Sequence, residues 1–443
     1  MAKKKQIELT IEEKLQNALV PKEEQPYKIP SNWCWTYIHN IAIVVTGKTP
    51  SKKNKEYYGG KFPFFKPADL DAGRNMQYAT EYLSEKGKSI SVIIPEKSTG
   101  ICCIGTIGKC GYFLVEGTTN QQINTVISKI NPLYSYYFFN TNSFVRELIS
   151  KASATTIAIV NKSKLESCLF PVAPLNEQQR IVNRIESLFA KIDRAKELIE
   201  NTLAQFEQNK MAILHKAFNG ELTAKWRKEN NIDLSSWKKC ELKEVFKVVK
   251  DKYNLQTENQ IVNYIGLENI ETSKGIISKN NSSEVKSIKT KFKKDDVLYG
   301  KLRPYLNKHD VVNFDGICST DILVFRFNDI NTAKYINYYF NLPMFIQYAV
   351  ENSSGINLPR VSEKTISKYK ISLPTIEEQQ EIVNILDKLL AKYNKIKNLE
   401  QQLEKIELLK KAILAKAFRG ELGTNNPDEE SAENLLKEIL AEK

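Results

Sequence analysis

Two clusters of basic, aromatic and amide side chains are the part of this sequence best equipped for chemistry. The first holds Lys48, Lys52, Lys53, Lys55, Tyr57 and Tyr58. The second holds Lys289, Lys291, Lys293, Lys294, Tyr299, Lys301, Arg303, Tyr305, Asn307 and Lys308. Ammonium and guanidinium groups neutralise phosphates, while arginine, asparagine and glutamine carry the donors and acceptors that read base edges in a duplex groove. Each of the two globular stretches that hold these clusters also carries a glycine-centred basic loop, Gly105-Thr106-Ile107-Gly108-Lys109 in one and Gly300-Lys301-Leu302-Arg303-Pro304 in the other. A single such run is an ordinary solvated face; two in matched positions point to a polyanionic partner.

Covalent chemistry finds no comparable footing. No GxxxxGK[ST] phosphate loop is present, and no GxGxxG follows an expected strand. Asn131-Pro132-Leu133-Tyr134 has no glycine-rich cofactor loop to accompany it, so it is expected to be a turn before the aromatic run at 136–139. Asp69 and Asp71 after Pro67 would suit a metal nuclease, yet among 52 acidic residues such neighbours are commonplace. His39, His215 and His309 stand too far apart for metal-ligand spacing, and the seven cysteines contain no CxxC pair, which suits a reducing cytoplasm. Cys102 and Cys103, in an apolar run, are expected to be core thiols. The chain reads as a recognition protein with no active site, metal or cofactor of its own.

The elements that must position the clusters are large. The chain has 443 residues, 42% hydrophobic and 26% charged, enough for about two to four domain cores. Its charge is unevenly placed. Residues 26–173 carry 17 basic and 9 acidic side chains and residues 223–373 carry 25 and 17, so the positive excess lies on these two stretches, +8 on each, and the acidic end brings the net charge to +13. Residues 174–222 are neutral and 374–443 slightly acidic. No stretch approaches about eighteen uncharged apolar residues and the start lacks a secretory pattern, so a cytoplasmic location is expected.

A duplication organises the chain. Glu177-Gln178-Gln179 recurs as Glu378-Gln379-Gln380, and Lys216-Ala217-Phe218 with Gly220-Glu221-Leu222 recurs as Lys416-Ala417-Phe418 with Gly420-Glu421-Leu422. Between Pro174 and Gly220, and between Pro374 and Gly420, there is neither glycine nor proline, which predicts one long helix in each copy. Asn176 with Gln179 and Thr375 with Glu378 have capping-box spacing, and Gly220 and Gly420 fit left-handed positions past the last turn. Ile185, Ile192, Ile199, Phe206 and Ile213 step by sevens, as do Ile382, Leu389, Ile396 and Leu403, joined by Ile406 and Ile413. So narrow a stripe needs a partner helix, and the two copies are expected to pair as an antiparallel coiled coil. The globular stretches alternate short apolar runs with turn residues, and each opens with a tryptophan, Trp33 or Trp237. The expected fold class is α+β: two similar mixed α/β domains separated by two long paired helices, with a pseudo-twofold internal repeat. A stiff rod holding two alike basic domains suits a rigid duplex read at two separated places.

This constellation resembles the specificity subunits of type I restriction-modification systems over nearly the whole chain. The resemblance rests on Pro-Leu-Asn-Glu-Gln-Gln-Arg-Ile-Val at 174–182, Pro-Thr-Ile-Glu-Glu-Gln-Gln-Glu-Ile-Val at 374–383, the Lys-Ala-Phe-x-Gly-Glu-Leu endings, and Val-Leu-Tyr-Gly-Lys-Leu-Arg-Pro-Tyr-Leu at 297–306. Thr46 to Ser51 and Asn120-Gln121 in the first half, with Cys318 to Asp321 and Leu358-Pro359-Arg360 in the second, are similar to recurrent family positions. The resemblance implies target recognition domains at 26–173 and 223–373, helical spacers at 174–222 and 374–422, and helical extensions at 1–25 and 423–443. It adds Thr49, Ser51, Asn120, Gln121, Thr320 and Arg360 to the expected DNA contacts. Lys109 joins them in a first loop that departs from the second, Thr106 to Lys109 standing where Lys301 to Pro304 stand. The partners implied are double-stranded DNA with a bipartite site, two modification subunits that methylate adenine, and restriction subunits. S-adenosylmethionine, ATP and Mg²⁺ would sit on those partners. Two other readings stay open: a bivalent nucleic-acid scaffold without restriction partners, and a nuclease or methyltransferase acting alone.

Overall fold

The computed structural model describes residues 9–153, 158–254, 258, 261–284, 287–394 and 397–442. It divides into two compact units: Met1–Leu198 together with Gln401–Lys443, and Ile199–Glu400. The helices that build both are α1 (Ile11–Ala18), α2 (Leu175–Phe218), α3 (Ile376–Asn394), α4 (Lys397–Ala417) and α5 (Ala432–Ala441). The 44 residues of α2 run without a break, as the absence of glycine and proline predicts. Its start differs from expectation. Asn176 is already inside the helix, because Pro174 O accepts the Gln178 amide at 2.9 Å and the Gln178 side chain donates to Ala173 O at 2.8 Å. Thr375 does cap α3, its hydroxyl accepting from the Glu378 amide at 3.4 Å. Gly220 and Gly420 take left-handed φ values of 86° and 74°, ending the helices where glycine is needed.

In the first unit the beginning of α2 packs against the end of α4: Ile181, Val182 and Ile185 share a core with Ile413, Leu414, Ala417 and Phe418, and Lys410 meets Asp193 at 2.5 Å. In the second unit the end of α2 packs against the beginning of α3, where Leu214 and Ala217 share a core with Ile382, Val383 and Leu386. In the first unit Asp193 meets Lys410 while the earlier Ile181, Val182 and Ile185 share a core with the later Ile413, Leu414, Ala417 and Phe418, so rising numbers on one helix face falling numbers on the other and the pairing is antiparallel. The expected seam is unevenly packed. Ile185, Ile382, Ile406 and Ile413 are buried, whereas Ile192, Ile199, Phe206, Ile213, Leu389 and Leu403 are half-buried and Ile396 lies outside the described residues. Ile185 and Ile382 close deepest because they also meet the domain cores, whose aromatic and aliphatic side chains supply a third wall.

The same sheet recurs in each unit. In the first, the strand order is Ala42–Thr46, Ile123–Ser128, Thr99–Cys102, Cys110–Tyr112; in the second it is Lys247–Val248, Ile322–Arg326, Val297–Gly300, His309–Val311, antiparallel throughout in both. A further sheet contributes a matched parallel pair, Phe64 and Phe65 beside Thr118 and Thr119, and Tyr264 and Ile265 beside Ile317 and Cys318. The aromatic helix expected after the Asn-Pro turn is Pro132–Phe139, with Asn131 capping it; it buries Phe138 and Phe139 against Phe170.

The duplicated sequence motifs meet crosswise. Glu177 from the first repeat is fully buried and accepts from Trp33 Nε1 at 2.7 Å, but its other donors come from the tail of the second repeat, Asn425 Nδ2 at 2.9 Å and Thr424 Oγ1 at 3.4 Å. Glu378 from the second repeat is equally buried and accepts from Trp237 Nε1 at 2.9 Å, with Thr223 Oγ1 at 2.7 Å and Arg227 Nη1 at 2.5 Å supplied by the tail of the first. A carboxylate persists away from water only when donors surround it, so these two acids lock the tryptophan that opens each domain to the helix that closes it. Each unit is thus the head of one repeat joined to the tail of the other. The first unit carries an added cover: α1 packs on α5, and the segment after α1 extends the Cys34–Tyr37 strand through Val20 N to Trp35 O at 3.0 Å.

Candidate nucleic-acid interface

Three loops are stitched together in the second unit. Leaving Val297–Gly300, the chain forms the Lys301-Leu302-Arg303 loop and a short turn at Pro304–Leu306 before returning as His309–Val311. Lys301 N donates to Asp321 O at 2.9 Å, Val361 N to Lys301 O at 3.0 Å, and Arg303 N to Pro359 O at 2.7 Å. Arg360 Nε donates to Asp321 Oδ1 at 3.1 Å, which orients its guanidinium while leaving it partly exposed. Arg303 is exposed and held in the left-handed region at φ 52°, a conformation that disfavours any residue with a Cβ and is retained mostly where function requires it. Among the described residues no side-chain hydrogen bond or ion pair engages its guanidinium.

The first unit has the same stitching in a different register from the one the glycines suggest. Cys103 N donates to Gln122 O at 2.8 Å and Val160 N to Cys103 O at 2.9 Å, while Ile104 bridges Ile159 as Leu302 bridges Arg360. Cys103 therefore stands for Lys301 and Gly105 for Arg303, so the matching of Thr106 to Lys109 with Lys301 to Pro304 is three residues out. Gly105, at φ 81°, takes without strain the conformation that Arg303 holds. Lys109 corresponds to Lys308, since Cys102 N donates to Lys109 O at 2.8 Å and Gly300 N to Lys308 O at 2.7 Å. Both lysines are engaged internally, Lys109 with Asp71 at 2.7 Å and Lys308 with Leu267 O at 2.7 Å.

The remaining expected contacts divide by exposure. Lys48, Ser51, Lys52 and Lys53 lie exposed between Thr46 and Lys55, with Tyr57 half-buried behind them. Thr49 Oγ1 donates to Gln121 Oε1 at 2.5 Å, which joins this loop to the exposed turn at Gln121. Lys293, Tyr305 and Thr320 are exposed and Lys301 half-buried, while Lys291 pairs with Glu258 at 2.7 Å over the Tyr253 ring. Three expected contacts are misplaced. Tyr299 is wholly buried against Phe325, Phe340 and Phe345, because every residue of Val297–Gly300 faces a core. Asn307 is buried, donating to Phe340 O at 3.0 Å beside His309. Asn120 is buried and uses its amide within its own turn, accepting from Gln122 N at 3.1 Å and donating to Gln122 Oε1 at 2.9 Å. Sequence reasoning missed the orienting role of Asp321, although its place beside Thr320 was in view. It named Leu358, Pro359 and Arg360 but passed over Ile356 beside them, which is fully exposed.

His309 gives this core a pH dependence. Burial lowers its pKa from 6.5 to about 4. The unfolded chain protonates the ring as the pH falls through about 6.5 and the folded chain only near 4, so this contribution is full above the first value and is lost progressively toward the second. Thermal unfolding of the second unit is expected to drop between pH 6.5 and 4, and His309→Phe is expected to flatten that slope. An unchanged slope in the variant would place the titrating group elsewhere.

Among the described residues no three His, Cys, Asp or Glu side chains converge on a metal-binding geometry, and no helix is long and apolar enough to cross a membrane. The family described as type I restriction modification DNA specificity domain matches the chain twice, over residues 30–204 and 235–408. The chain is 25% identical to the type I restriction enzyme EcoDI specificity subunit of Escherichia coli, over 94% of this chain and 96% of that one. It is 27% identical to the EcoKI specificity subunit of Escherichia coli strain K12 over the same shares, and 24% identical to the MjaIX specificity subunit of Methanocaldococcus jannaschii over 90% and 96%. In fold it is similar to a chain solved in work on complex assembly and conformational transition of the type I R-M system, with TM-score 0.69 and 18% identity over 89% of this chain and all of that one. It is also similar to the HsdS subunit from Thermoanaerobacter tengcongensis, with TM-score 0.58 and 19% identity over 90% and 99%.

Proposed function

Because the chain belongs to the type I restriction modification DNA specificity family, we propose that its two units each read one half of a bipartite duplex site on behalf of partner enzymes. It is a DNA-recognition subunit of a type I restriction-modification system. The observation that carries the two-site reading is the recurrence of one three-loop platform in both units, with Cys103 N to Gln122 O and Val160 N to Cys103 O repeating Lys301 N to Asp321 O and Val361 N to Lys301 O, and with different side chains at its apex. A platform kept constant while its tip varies is how one scaffold reads two sequences.

In this reading residues 26–173 and 223–373 are the recognition domains, and the chain performs no catalysis. Two modification subunits dock on it and methylate adenine in each half-site, and restriction subunits join them in the cytoplasm. S-adenosylmethionine supplies the methyl group, and ATP and Mg²⁺ serve the restriction partners; all three bind those subunits. Expressing the chain with its modification partner and mapping methylated adenines across the host genome is expected to yield one split motif with a fixed gap. Uniform methylation, or a single uninterrupted motif, would overturn the reading. A bivalent scaffold without restriction partners would retain no methyltransferase on purification, and an enzyme acting alone would turn over DNA with Mg²⁺ and methyl donor.

A further inference from the structure

The segment from Ser353 to Arg360 ends in an apolar side chain that no packing accounts for. Ile356 is fully exposed, at 101% of its reference surface, and Leu358 beside it is 45% exposed. Burying an isoleucine is worth roughly 1.5–3 kcal/mol, so leaving one in water forgoes that stabilisation. The presentation is built. Ser354 and Arg360 exchange backbone hydrogen bonds of 2.9 and 2.8 Å that close the stem, and Gly355 at φ 100° turns the chain at the tip. An added Cβ on Gly355 would meet Leu358 O at 3.0 Å, so the turn is tight as well as left-handed.

The surroundings say what the tip meets. Arg303 N donates to Pro359 O at 2.7 Å, which puts one arginine on the flank of the segment, and Arg360 at its base is oriented by Asp321. Tyr305, 53% exposed, follows on the same loop as Arg303. An apolar tip flanked by guanidinium groups is poorly matched to an apolar protein pocket, where the cations would lose their water without gaining partners. It is well matched to a duplex, in which phosphates and base edges take the arginines and the space between two stacked base pairs takes the hydrocarbon.

We propose that Ile356 is a wedge that the second unit inserts between adjacent base pairs of its half-site, unstacking and bending the duplex there. This rests on the DNA-recognition role given above and adds a deformation component to it: sequences that unstack easily at the insertion step are favoured without any base edge being read.

The test uses the full chain and a duplex carrying the site mapped by adenine methylation, with 2-aminopurine replacing each adenine of either strand in turn. Wild-type chain is expected to raise the fluorescence at one position of a single half-site. Ile356→Ser, which removes no contact within the protein, is expected to abolish that rise and weaken binding to the site roughly tenfold with unchanged thermal unfolding. Ile356→Phe is expected to preserve the rise. If the serine variant keeps both the fluorescence rise and the affinity, the wedge is wrong while sequence recognition stands. If the serine variant keeps the rise but loses its modification subunit on purification, the tip is a protein contact and the wedge is again wrong. If wild-type chain does not prefer the mapped site over random duplex, the recognition role itself fails and the wedge with it.

Discussion

Glu378→Ala is expected to destabilise the second unit by about 3–5 kcal/mol. The carboxylate is fully buried and the Arg227 side chain is 9% exposed, so the substitution strands a guanidinium without its counter-charge and orphans donors on Trp237 and Thr223. Glu177→Ala at the matching place in the first unit removes the acceptor of Trp33, Thr424 and Asn425, all neutral, and is expected to cost about 1–3 kcal/mol. Denaturant unfolding of each variant measures the difference. Combining Glu378→Ala with Arg227→Met removes the stranded charge along with its partner and is expected to recover most of the loss, since replacing both members of a buried pair by apolar groups is often neutral. Equal losses in the two single variants, with no recovery in the double, would show that the charge on Arg227 contributes nothing to this joint.

Arg303→Gly is expected to move stability and recognition in opposite directions. The backbone there sits at φ 52° and its first-unit counterpart is a glycine at φ 81°, so the substitution relieves roughly 1 kcal/mol of left-handed strain. Loss of an exposed guanidinium from the recognition platform is expected to weaken cognate binding by about 1–3 kcal/mol and relax a single base position in one half-site. Because the variant is no less stable, weakened binding cannot be blamed on unfolding. Competition between cognate and random duplex decides the mode of contact. A loss confined to cognate DNA makes Arg303 a reader of bases, and an equal loss on both makes it a phosphate clamp, with the salt dependence of binding falling by about one ion.

The helices, their antiparallel pairing and the duplication were legible because all three are periodic, and periodicity survives in a bare sequence. The Gly-Glu-Leu tails and Glu-Gln-Gln heads stood out as repeats, yet nothing in the text of the chain says that a head binds the tail of the other copy. Buried Glu177 and Glu378 carry that fact most directly, and an acidic residue in the first turn of a helix usually marks a favourable dipole rather than a burial site. The basic clusters fall on loops that expose Lys48, Lys52, Lys53 and Lys293. Within them residue type misled at Tyr299 and Asn307, because a four-residue strand with a core on either side looks like a surface when lysines follow it. The register of the first loop was hidden for a related reason. Gly105 and Gly108 both have positive φ, and only the hydrogen bonds of Cys103 show which of them answers to Arg303.

The crossed construction sets an order of events on the ribosome. The second unit, Ile199–Glu400, is one continuous stretch of chain, whereas the first must wait for Gln401–Lys443 before Asn32 can donate to Asn426 O at 3.0 Å and Glu177 can collect its last donors. Residues translated earliest therefore finish folding last, closing a loop of 394 residues, and long-range closure of that kind is the slow step in assembling a chain. Without Gln401–Lys443 the first unit leaves uncovered the apolar face that Phe418, Leu436 and Ile439 close, and exposed apolar surface of that kind is prone to aggregate.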